Sequence, residues 1–275
     1  MSLKGNDTLL FDAIFSGDKV KVRELVEYGL DKNSVLHCPA RWEGATVLGT
    51  AACLGHAEIV QYLLEEGTPV NFTDPCMGRS ALHWAIMGDQ YQVVKLLIKK
   101  GADTNSVDKE CVTPLLRAAI GRNYNLVKLL LKNGADVNRK DYLQCSALHY
   151  ACVHGDPKLV DLIIKGGCVL NNKAVIGKGT PLASLVHHKD IGSIVLLLDA
   201  GYDLSNENWL KNHTNTNNQG DNVIQMLVQS QQNPLRLSTC CRKVIRKQMG
   251  GRNVQEKLNT LNIPLALKSY VLLQQ

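Results

Sequence analysis

The sequence predicts an all-α solenoid of short helix pairs, and three observations predict it. They are an internal period of about 33 residues, a hydroxyl residue opening each period, and a glycine closing the apolar run that follows. The segment from Thr46 to Asn71 recurs without gaps as Ser80 to Asn105, Thr113 to Asn138, Ser146 to Asn171 and Thr180 to Ser205, with a weaker copy from Thr8 to Asn33. The opening residues Thr8, Thr46, Ser80, Thr113, Ser146 and Thr180 stand 38, 34, 33, 33 and 34 positions apart, so six units share one plan.

Each element of the unit has a physical reason. The opening Ser or Thr can accept a hydrogen bond from a free N–H and start helix one, and Pro114 and Pro181 follow it at the first helical position, where a missing N–H costs little. Alanines such as Ala51, Ala85, Ala118 and Ala151 let neighbouring first helices lie close, and Gly55, Gly88, Gly121 and Gly155 supply the break between helices. The second helix follows in runs such as Ile59-Val60 with Leu63-Leu64, or Leu126-Val127 with Leu129 to Leu131, broad enough to bury against neighbours on both sides. Gly67, Gly101, Gly134, Gly167 and Gly201 end it, and Asp, Asn and Gly residues turn the chain into the next unit.

Gly-Ala-Asp-x-Asn at 101–105 and 134–138, with Thr-Pro-Leu at 113–115 and 180–182, resembles the ankyrin repeat over residues of about 4 to 205. The first unit departs from it at Lys21 and Glu24, as a terminal repeat with one face in water can. Residues 206–220, rich in Asn and Thr, read as a long polar loop. Val223, Ile224, Leu227 and Val228 then resume the pattern, either as helix one of a partial seventh repeat or as a linker helix. The expected organisation is repeats over 1–205, a polar loop and partial repeat over 206–233, and a separate tail over 234–275.

Of the 275 residues, 45% are apolar and 20% charged, the composition of a folded soluble chain. The longest apolar stretch, around Ile194 to Leu198, falls far short of the ~20 residues that cross a bilayer. The N-terminus lacks the apolar core of a secretory signal, so the expected address is cytoplasmic, with the nucleus open. Nine cysteines without C-x-x-C spacing fit reduced thiols better than disulfides or a zinc site, and the sequons at Asn71 and Asn212 are then expected to stay unmodified. The net charge of +6 sits in the tail, where residues 234–275 carry eight basic residues and one acid, leaving the first 233 almost neutral.

That tail has 42 residues, near the ~40 below which a chain needs disulfides, metal or a partner to be stable. Leu237, Cys241 and Ile245 nevertheless make an apolar stripe at i, i+4, i+8 with Val244 beside it, and Leu258, Leu261, Ile263 and the residues around Tyr270 make a second cluster. A terminal cap on the last repeat, a membrane-surface helix and a nucleic-acid arm are alternative uses of such a segment; the proline break and second cluster fit a folded, partner-bound module better. The set Leu237, Cys241, Ile245, Arg246, Gly250, Leu261-Asn262-Ile263-Pro264, Leu267 and Tyr270 looks like a SOCS box. An ankyrin array followed by one is similar to the ankyrin repeat and SOCS box family of ubiquitin-ligase adaptors. The resemblance implies that Leu237 anchors in elongin C of the elongin B/elongin C pair, with Cys241, Val244 and Ile245 behind it. It also implies that Leu261, Ile263 and Pro264 meet cullin 5, although Asn262 replaces the first proline of the family's Leu-Pro-aliphatic-Pro motif.

No constellation demands catalysis, and no cofactor is expected. His83 and His149 stand where the ankyrin pattern supplies a histidine, adjacent His187 and His188 point about 100° apart in a helix, and Gly177-Lys178-Gly179-Thr180 lacks the first glycine of a phosphate loop. What remains is recognition of a protein by turn tips and first-helix faces. The candidates are Arg41, Trp42 and Glu43, Met77 and Arg79, Trp84 and Met87, Lys109 and Glu110, Arg117, Tyr142, Tyr150 and His187. Trp42 and Trp84 lead, because aromatic anchors dominate interfaces. For Trp84 and Tyr150 the competing reading is packing between repeats, and for Trp42 a loop-core contact.

Overall fold

A short capped helix with a glycine stop packs best as one leg of a hairpin, and this chain repeats that hairpin. The computed structural model describes residues 3–35, 44–172, 179–213 and Leu227. Its helices come in pairs: α1 (Leu3–Phe15) with α2 (Lys19–Glu27), α3 (Val47–Leu54) with α4 (Ala57–Glu65), α5 (Ala81–Met87) with α6 (Tyr91–Lys99), and α7 (Pro114–Ile120) with α8 (Tyr124–Lys132). Then follow α9 (Ala147–Val153) with α10 (Pro157–Lys165), and α11 (Pro181–His188) with α12 (Ile191–Asp199). A 3-10 turn (Leu204–Asn206) leads to α13 (Asn208–His213). The chain forms two compact units divided between Ala135 and Asp136, the first holding four helix pairs and the second two.

Among the described residues there is no β-sheet, only single antiparallel bridges such as Thr73 with Ser80 and Lys140 with Ser146 at the bases of the turn fingers. No helix there is long and apolar enough to cross a membrane. The first helices α3, α5, α7 and α9 are buried along almost their whole length, as in the run Val47, Leu48, Gly49, Thr50, Ala51 and Ala52 of α3, whereas α1 leaves Leu9 and Phe15 exposed and α11 its two histidines. Second helices bury one stripe, as Val93, Val94 and Leu97 in α6 or Leu159, Val160, Ile163 and Ile164 in α10.

The caps form as the hydroxyl positions require. Thr46, Thr113 and Thr180 accept from the N–H groups of Gly49, Leu116 and Ala183, and Ser80 and Ser146 complete capping boxes with His83 and His149. Thr8 departs from this plan: α1 begins at Leu3, five residues earlier, so Thr8 lies inside a helix and not at its start. The glycines between paired helices also divide in role. Gly55 and Gly155 are left-handed, but Gly88 and Gly121 are right-handed, and the left-handed residues there are Asp89 and Arg122. Gly88 serves close approach instead, since a Cβ on it would meet the Cys53 carbonyl oxygen at 2.0 Å.

The polar stretch expected as loop from residue 206 opens as the helix α13. The reason is a buried Glu207, which accepts from Thr180 Oγ1 at 3.0 Å, from the Tyr202 hydroxyl and from the Trp209 indole N–H, while Leu210 is wholly buried next to it. Of the expected partial seventh repeat, Leu227 alone is described, helical and buried; its other residues, the tail over 234–275, Arg41 and Trp42 lie outside the described residues.

Two residues before the opening hydroxyl, four fingers hold a left-handed residue: Gly44, Gly78, Cys111 and Gln144, at φ between 58° and 80°. A side chain in that region costs about 1–2 kcal/mol, partly offset by the backbone entropy glycine gives up on folding. Cys111→Gly is therefore expected to stabilise the protein by roughly 0.5–1 kcal/mol, read as a higher urea midpoint with an unchanged denaturant slope.

Candidate functional site

Turn fingers expose backbone N–H groups that no helix ladder satisfies, and three described fingers of this chain meet them with one buried carboxylate each. In the first unit Asp74 accepts from the N–H of Met77 at 2.5 Å, from that of Arg79 at 3.0 Å and from the Trp84 indole at 3.2 Å. Asp108 accepts from the N–H groups of Glu110 and Val112 at 3.0 and 2.8 Å and from Arg117 Nη2 at 2.9 Å. In the second unit Asp141 accepts from the N–H groups of Leu143 and Cys145, both at 2.9 Å, and from the Tyr150 hydroxyl. Burial and that hydrogen bond push the Tyr150 phenol far up, so it stays a donor.

The side-chain donor is each time the fifth residue of its repeat, which decides the fate of three candidate partner residues. Trp84 is 3% and Tyr150 9% exposed, and each donates to its own finger carboxylate. Gly49 of the preceding repeat makes room for the indole, since a Cβ there would meet Trp84 Cδ1 at 2.7 Å. Arg117 keeps part of its guanidinium near the surface. Met77 and Arg79 are half-buried on the Asp74 finger, and Arg79 lies over the Trp84 ring, 5.5 Å from its centroid. Lys109 crosses between fingers, its N–H donating to the Met77 carbonyl at 2.8 Å and its Nζ to that of Pro75 at 2.7 Å. The structure thus brings Met77, Arg79, Trp84, Lys109 and Arg117 together in the first unit. Tyr142, 62% exposed at a finger tip, and Tyr150 belong to the second.

Sequence reasoning passed over the carboxylates Asp74, Asp108 and Asp141 that organise this surface. A signal existed, an Asp five or six residues before Ser80, Thr113 and Ser146, but it reads as part of the general turn composition.

The repeat histidines are structural. His83 Nε2–H donates to the Val112 carbonyl at 3.1 Å, leaving Nδ1 to accept from the Ser80 N–H at 3.2 Å. His149 Nε2 reaches the Asn172 carbonyl at 3.0 Å in the same way. His188 faces the Val153 carbonyl at 2.7 Å, and among the described residues no group of His, Cys, Asp and Glu side chains could hold a metal ion. Burial lowers His83 from 6.5 to about 4. The unfolded chain protonates this imidazole near its ordinary value while the folded chain resists until about 4, so the unfolded state binds more protons in that window and stability falls as pH drops through it. Between pH 7 and pH 5 the loss from this group is expected to be on the order of 1–2 kcal/mol. Urea unfolding of a His83→Gln variant at the two pH values should show a correspondingly shallower dependence.

A family model described as ankyrin repeats (3 copies) matches residues 10–108 and 102–174, and one for the SOCS box matches residues 233–272. The chain is 38% identical over 74 residues to ankyrin repeat and SOCS box protein 6 of Mus musculus, covering 26% of this chain and 18% of that one. It is 34% identical over 110 residues to E3 ubiquitin-protein ligase Ufd4 of Drosophila melanogaster, covering 40% of this chain and 4% of that one. It is also 35% identical over 94 residues to palmitoyltransferase Hip14 of the same fly, covering 34% and 14%. The matched segments therefore span a small part of these curated relatives. Repeats over more than half of the sequence, followed by the SOCS box at its C-terminal end, show that the chain belongs to the ankyrin repeat and SOCS box family.

Proposed function

We propose that this chain is the non-catalytic substrate-recognition adaptor of an elongin B/C–cullin–RING ubiquitin ligase, acting in the cytoplasm or nucleus. The observation that carries the reading is the SOCS box match over residues 233–272 on a chain whose preceding residues are ankyrin repeats. The repeats hold a target protein through their turn fingers. The tail recruits elongin C and elongin B through Leu237, Cys241, Val244 and Ile245, and cullin 5 through Leu261, Ile263 and Pro264. Its contribution to ubiquitin transfer is a high effective concentration of target lysines near the charged carrier, with the chemistry done by other subunits.

The physical support is the apolar excess of a 42-residue tail beside eight basic residues and one acid. Truncating an anchor buried in an interface pocket costs about 2 kcal/mol or more. Leu237→Ala with Cys241→Ala is therefore expected to reduce co-purification of co-expressed elongin B/C at least thirtyfold, with the helical circular dichroism of the repeats unchanged. Capture at wild-type strength would return the tail to the role of a terminal cap. Asn262 is a freer residue than the proline of the cullin motif, so Asn262→Pro is expected to increase retention of cullin 5 on the elongin-bound chain, measured by pull-down.

A further inference from the structure

We infer that Arg79 and Arg117 form a receptor for one carboxylate of an acidic target segment, with Glu110 standing in for it in the unoccupied protein. The inference deepens the adaptor reading, on which it rests, by giving the chemistry of what the first unit's fingers bind.

The argument begins with charge. The Asp108 side chain is sealed from solvent, with Arg117 Nη2 at 2.9 Å and Arg79 Nε at 3.7 Å from its Oδ2. Two guanidinium groups thus converge on one carboxylate that already accepts two backbone N–H bonds. The other acid beside Arg117 is Glu110, 4.0 Å from Nη2, with 45% of its side chain in solvent. That distance and exposure describe a loose contact that an incoming anion can replace.

Hydrogen bonding leads to the same place. Arg79 and Arg117 keep 15% and 18% of their side chains exposed; the Nε of each is sealed off without an acceptor, and of their Nη groups only Arg117 Nη2 is hydrogen-bonded among the described residues, to Asp108. The Arg79 guanidinium makes no hydrogen bond among the described residues. Its Cζ sits over the Trp84 ring, so it is positioned without being satisfied. Guanidinium groups left this way in a folded protein favour an acceptor with two oxygens, which their fork matches. Arg79, Lys109 and Arg117 are matched by Asp74, Asp108 and Glu110, so displacing Glu110 leaves one positive charge, which fits a monoanionic carboxylate better than a phosphate dianion. Half-buried Met77 beside Arg79 offers apolar contact to a neighbouring target residue. Lys109 is held away to one side, its Nζ donating to the Pro75 carbonyl, and adds positive charge to the same surface.

The test selects a displayed random decapeptide library on the immobilised full-length chain and measures the strongest synthetic peptide by fluorescence anisotropy. Selected peptides are expected to carry Asp or Glu next to an apolar residue. Arg117→Lys and Arg79→Gln should each weaken that peptide about tenfold. Glu110→Gln should tighten it about threefold, a gain that misfolding cannot imitate. Absence of selected acidic peptides, a Kd unmoved by Glu110→Gln, or tighter binding when phosphoserine replaces the acidic residue would overturn the assignment. Failure of the adaptor reading would show separately, as loss of elongin B/C capture by the unmodified chain.

Discussion

A helix of seven residues in water does not recover the cost of its first turn, so α5 exists only because α3, α6 and α7 lie against it. Within a unit each repeat is a single layer that depends on its neighbour, and the polar groups at its edges must be met across the gap. His83 reaches the Val112 carbonyl of the following finger. Asn71 accepts from the Asp103 N–H at 2.8 Å, and Asn105 donates to the Gly134 carbonyl at 3.1 Å. In the second unit Asn138 accepts from the Val169 N–H at 2.6 Å and Asn171 from that of Asp203 at 3.1 Å. These side chains have fixed reach, and the spacing of the repeat follows from it.

The same dependence leaves the finger as the place where chemistry can vary. A buried Asp closes the turn, and the fifth residue of the repeat supplies a donor that is an indole in one copy, a guanidinium in the next and a phenol in a third. The backbone is held constant while the surface above it changes from aromatic to cationic. The repeat thus carries shape and its variable positions carry specificity. The SOCS box match follows these repeats in the chain.

Much of this could be read from residue order. Period, caps, glycine stops and the apolar stripes of second helices are local properties, set by N–H groups lacking partners and by side chains three and four residues apart. The family motif at 233–272 is equally a matter of spacing. Thr8 misled because a repeat register does not say where the chain outside the array stops being helical.

Sequence by itself determined that this protein is a series of capped helix pairs followed by a SOCS box. Tertiary structure alone decided which side chains remain free to meet a partner. Trp84 and Arg117 occupy the same place in the period, and one is consumed as a buried donor while the other keeps unused N–H groups. Nothing in the spacing separates them. The difference arises where two fingers meet, because Asp108 lies within reach of arginines from two repeats, whereas Asp74 closes on its own finger and one indole.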